Sequence, residues 1–103
     1  MKNPKLKSDK YRKARGGHSR FLDIYCDHCE RKVLVYQKDG PGELKRLYLD
    51  RIVFPAKIKR APSLICPHCG RELGIFYIYP KEKRGAFRLF AGAVRKIIIK
   101  SKI

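Results

Sequence analysis

Residues 21–25 are apolar except for one acid, and after an interruption at 26–31 the chain resumes as KVLVYQK, rich in Val and Tyr. Such runs predict a strand, a turn and a second strand. DGPG at 39–42 ends this unit, since both glycines admit positive φ and Pro41 cannot extend a ladder. ELKRLYLDRIVF (43–54) fits two templates. Leu47 and Leu49 alternate as in a strand, whereas Leu44, Leu47, Tyr48 and Ile52 also lie on one helical stripe. A strand is the preferred reading. Pro55 and Pro62 then bracket AKIKRA, a basic connection.

The second half follows the same plan. SLI (63–65) leads into Cys66, ELGIFYIY (72–79) reads as a strand, KEKRG as a charged turn, and AFRLF as a returning strand. Setting Cys26 on Cys66 also sets His28 on His68, Cys29 on Cys69, Arg31 on Arg71, Val35 on Ile75, Tyr36 on Phe76 and Leu49 on Leu89. The predicted fold is therefore small and mainly β, two knuckle hairpins in a pseudo-repeat. Residues 91–103 end in a β-branched run among lysines, which fits either an edge strand or a basic tail that orders on a partner.

The repeat holds all four cysteines, as CDHC and CPHC. Two CxxC turns let four thiolates converge on one cation, the closed complement of a structural zinc site. These knuckles, the second with its Pro and Gly, resemble those of the zinc-ribbon family over about residues 25–79. The resemblance implies a structural Zn2+ on Cys26, Cys29, Cys66 and Cys69, one per chain, in a small antiparallel fold. The 36 residues between Cys29 and Cys66 exceed the spacing of the shortest such pattern, so the insert carries its own strand or helix. CPHC also resembles the active site of oxidising thioredoxin-like proteins, but there it opens a helix, whereas here Gly70, Gly74 and a β-rich run follow. CPHCG further resembles a rubredoxin knuckle, and thiolate ligands alone do not separate iron from zinc. His28 and His68 are expected to face solvent, or to bond a phosphate or a sulfur, because four thiolates already fill the shell.

Composition sharpens the picture. Twenty-six Lys and Arg stand against nine Asp and Glu in 103 residues, a formal charge of +17. So large an excess calls for a polyanion, and nucleic acid is the default. Residues 1–20 have too few apolar groups to offset ordering and are expected to form a flexible basic tail, with the zinc-ribbon domain over 21–103. No apolar run is long enough to span a bilayer and there is no secretory h-region, so a cytoplasmic location is expected, with no membrane partner. Candidate nucleic-acid contacts are Lys10, Tyr11, Arg12, Lys13, Arg15, His18 and Arg20, then Lys57, Lys59 and Arg60, and finally Lys83, Arg84, Arg88, Arg95 and Lys96. Tyr25, Tyr36, Tyr48, Tyr77 and Tyr79 lie on predicted strands, where exposed rings could stack on bases, although alternation buries one face. No acid–base pair, nucleophile elbow or phosphate loop is present, so neither catalysis nor a small-molecule substrate is expected. The combination resembles, in architecture and composition, small ribosomal zinc-ribbon proteins. The resemblance implies a non-enzymatic nucleic-acid-binding protein, RNA favoured over DNA, associated with the ribosome. The alternatives are an adaptor docking on a protein machine such as RNA polymerase and, third, an iron electron carrier.

Overall fold

The computed structural model describes residues 6, 9–11 and 19–99, and within them the chain is mainly β. The β-branched and aromatic run at the start of the body forms β1 (Ser19–Cys26), which pairs antiparallel with β2 (Lys32–Asp39). β1 starts two residues before the boundary expected at Phe21, and the Ser19 hydroxyl donates to Asp39 Oδ1 at 2.6 Å.

Residues 43–54 form neither one helix nor one strand. β3 (Arg46–Tyr48) and β4 (Ile52–Phe54) are separated by a 3-10 turn over Leu49–Arg51. β4 pairs with β2, but β3 leaves to join the other half of the molecule. The segment between the prolines is a second 3-10 turn, Ala56–Arg60. β5 (Ser63–Ile65), β6 (Glu72–Tyr79) and β7 (Arg84–Leu89) follow, and β8 (Val94–Ile98) returns to pair with β1. Of the two readings for the end of the chain, the edge strand is the one observed, and residues 100–103 lie outside the described residues.

Two four-stranded antiparallel sheets result, ordered β4-β2-β1-β8 and β3-β7-β6-β5. Leu22, Ile24, Leu34, Tyr36 and Ile52 of the first sheet share one core with Leu47, Leu64 and Phe87 of the second. Buried Cys26 and Cys66 belong to that core, so the cysteine turns are continuous with it. At Gly74 the second sheet leaves no room for a side chain: a Cβ there would lie 2.7 Å from the carbonyl oxygen of Arg88.

Far from the cysteines along β2, Arg51 is 2% exposed and pairs with two acids. Its Nε donates to Asp39 at 2.8 Å and its Nη1 to Asp9 at 3.0 Å. Burial opposes ionisation of Asp39, but bonds from Ser19 and Gln37 and the Arg51 guanidinium outweigh it and hold the carboxyl below its ordinary range. Asp9 and Tyr11, within the stretch expected to be a tail, thus contact the body; residues 12–18 lie outside the described residues. Among the described residues no helix is long and apolar enough to cross a membrane.

Candidate metal centre

The two CxxC turns have the same backbone wiring. In the first, Cys26 N–H donates to Arg31 O and Glu30 N–H to Cys26 O, each at 2.9 Å. In the second, Cys66 N–H donates to Arg71 O and Gly70 N–H to Cys66 O, also at 2.9 Å. Such a turn needs a left-handed residue after the second cysteine. Gly70 adopts it freely (φ 79°), whereas Glu30 holds it as a non-glycine (φ 64°). The flanking ladders match as well, Tyr25 opposite Lys32 and Ile65 opposite Glu72, each beside a one-residue register shift.

These turns bring four sulfurs within 4.8 Å of one another. Sγ of Cys26 lies 3.7 Å from that of Cys69, and Sγ of Cys29 lies 3.6 Å from that of Cys66. Both are far longer than the roughly 2.05 Å of a disulfide. A metal with about 2.3 Å bonds to four tetrahedral sulfurs holds them about 3.8 Å apart. The donor set therefore fits one metal ion.

The backbone N–H of Arg31 favours the Cys29 thiolate, but burial and the other three sulfurs outweigh it and raise the thiol. Burial opposes ionisation of Cys66, yet backbone N–H groups of Cys69 and His68 and bonds from neighbouring sulfurs bring it down. The His68 N–H to Cys66 Sγ distance is 3.4 Å. Neighbouring thiolates repel unless a cation sits among them, which a metal supplies.

The histidine side chains are exposed, and each ring reaches the opposite hairpin. His68 Nε2 lies 3.1 Å from Lys32 O, and Arg71 donates to His28 Nδ1 at 3.3 Å. The first turn is further braced by Ala93, whose carbonyl accepts from Asp27 N–H just before β8, and by Arg95 of β8, which pairs with Asp27 and Glu30. The second turn carries Pro67 and Gly70 where the first has Asp27 and Glu30.

The basic candidates are dispersed. Arg20 and Lys96 line one groove with Lys38, and both are exposed. Lys57 is exposed and Lys59 half-buried on the second 3-10 turn, which also includes the backbone of Arg60. Lys83 is exposed at a left-handed turn position, and Arg88 is exposed on the outer face of the second sheet. Arg84 is buried, its cation taken up by Asp50 and Glu82 and its plane lying between Tyr11 and Tyr48, 3.8 and 3.7 Å from the ring centroids. Tyr11 is accordingly half-buried, and Lys10 beside it is exposed. Arg12, Lys13, Arg15 and His18 lie outside the described residues. Arg46 was not among the candidates, although it stacks on Tyr79 at 4.2 Å and donates to the Tyr77 hydroxyl at 2.8 Å. Its partners lie 31 and 33 residues along the chain, so only the strand pairing brings them together.

No protein-family model matches the chain, and no curated protein or solved structure is found to be similar to it.

Proposed function

We propose that the chain is a non-enzymatic zinc-ribbon protein that binds RNA, in the ribosome or in another structured RNA. In this reading the two CxxC hairpins are a pseudo-repeat closed on one zinc ion held by Cys26, Cys29, Cys66 and Cys69. Four thiolates leave no open coordination position, so the ion is a structural element rather than a Lewis acid for substrate.

The observation that carries the reading is how the acids are spent. Arg51 takes Asp9 and Asp39, Arg84 takes Asp50 and Glu82, Arg95 takes Asp27 and Glu30, and Lys32 takes Asp23. Among the described residues, seven of the nine acids are thus engaged by cations. Little negative charge is left to offset the other basic residues, which favours a polyanionic partner. RNA is preferred to duplex DNA because half-buried Tyr77 and Tyr79 lie against Arg46 on the second sheet, an arrangement suited to unpaired bases.

Sedimentation of a cell lysate through a sucrose gradient, with and without RNase, tests this reading. Co-migration with large RNA-containing particles that RNase abolishes is the expected result. Retention on a protein complex after RNase treatment would favour the adaptor reading instead.

A further inference from the structure

The outer face of the second sheet sets two cations against each other. Arg46 of β3 is directly opposite Arg88 of β7. Like charges in directly opposed positions destabilise an antiparallel pair. Arg51, Arg84 and Arg95 each meet two acids, but among the described residues neither Arg46 nor Arg88 has a carboxylate within ion-pairing distance, and they alone of the uncompensated arginines face each other across a ladder. An anion bound between them would relieve the repulsion.

The same two arginines line a groove of about 630 Å³ with Lys45, Tyr77, Tyr79 and Phe90. That volume lies in the range of small-ligand sites. Its walls supply both halves of a nucleotide's chemistry. Arg46 lies over the Tyr79 ring and is tied to the Tyr77 hydroxyl, so a cation and two rings are already held together. Phe90, 42% exposed, offers a further ring, and its backbone is fixed by the bond from its N–H to Leu73 O. Glu43 is the one acid on the lining.

We infer that this groove binds an unpaired nucleotide of RNA, with its phosphate between Arg46 and Arg88, within reach of Lys45, and its base against Phe90 and Tyr79. The inference rests on the RNA-binding reading and names the site within it. Stacking on an aromatic side chain is sequence-tolerant, so little base preference is expected.

Fluorescence anisotropy on the full, zinc-loaded chain provides the test. The probes are a labelled single-stranded oligouridylate, a duplex of equal length, and uridine monophosphate as competitor. Arg88→Gln and Phe90→Ala change exposed side chains, and Lys57→Gln makes the same charge change as the first variant away from the groove lining. Each groove variant is expected to weaken single-strand binding at least about five-fold, the Lys57 variant clearly less, and the duplex to bind more weakly than the single strand. Cross-links from a thiouridine-substituted strand should fall on peptides containing Tyr77, Tyr79 or Phe90. If the two charge variants weaken binding equally and Phe90→Ala has no effect, the groove is not the site, although RNA binding stands. If uridine monophosphate competes as well per nucleotide as the strand, the ligand is a free nucleotide and the inference is overturned. If the wild type binds no RNA, the RNA-binding reading fails and the inference with it. Thermal melts of each variant separate lost binding from lost folding.

Discussion

Nε2 of His68 lies 3.1 Å from the carbonyl oxygen of Lys32, so the second cysteine turn is hydrogen-bonded to the strand leaving the first. The carbonyl can only accept, which places the ring proton on Nε2. The bond is exposed and competes with water. His68→Ala should therefore lower the melting temperature by no more than about 5 °C and leave one metal per chain. Loss of the metal in that variant, read by elemental analysis, would make His68 a ligand and the four-sulfur site wrong.

Cys26 and Cys66 contribute both a sulfur and buried surface to the core. Replacing either by Ser should abolish stoichiometric metal binding and the cooperative melt together, because ion binding and folding are linked in a domain this small. Chelation of the metal from the wild type should produce the same loss of β circular dichroism, reversed by added Zn2+.

Asp39 gives the fold an acid limb. Its carboxyl is held below the ordinary range in the folded chain, so it adds stability above its unfolded pKa of about 3.9 and loses it as pH falls through the lower folded value. The melting temperature should fall on acidification below about pH 4. Asp39→Asn should start lower at neutral pH and show a shallower decline over that window. Arg51→Met leaves Asp39 buried without its cation, and a loss of about 3–5 kcal/mol is expected in denaturant unfolding.

Gly74 tests the β6–β7 packing. An added methyl would meet the Arg88 carbonyl, a backbone atom with no rotamer to move. Gly74→Ala should cost about 1–3 kcal/mol. At Gly85 the nearest atoms belong to the Leu49 and Phe76 side chains at 3.1 Å, so Gly85→Ala should cost less.

The cysteine cluster was legible because CxxC spacing fixes local geometry, and a second copy forty residues on supplies the other two sulfurs. β1, β2, β6 and β7 were legible from β-branched and aromatic runs five or more residues long. β3 and β4 were not, since three-residue strands are too short to show a period, and Leu47 and Ile52 serve opposite sheets. The roles of the arginines were also hidden. Arg84 and Asp50 are 34 residues apart, and Arg51 and Asp9 are 42 apart. Charge alone made Arg84 resemble a phosphate contact, whereas its burial between two tyrosines makes it part of the body. What distinguishes Arg46 and Arg88 from Arg51, Arg84 and Arg95 is the location of acids, which only the folded chain reveals.

The salt dependence of RNA binding by the zinc-loaded chain tests the central claim most directly. If uncompensated Lys and Arg contact phosphates, log affinity should fall linearly with log salt, losing at least about ten-fold between roughly 50 and 200 mM KCl. An affinity unchanged across that range would contradict the account.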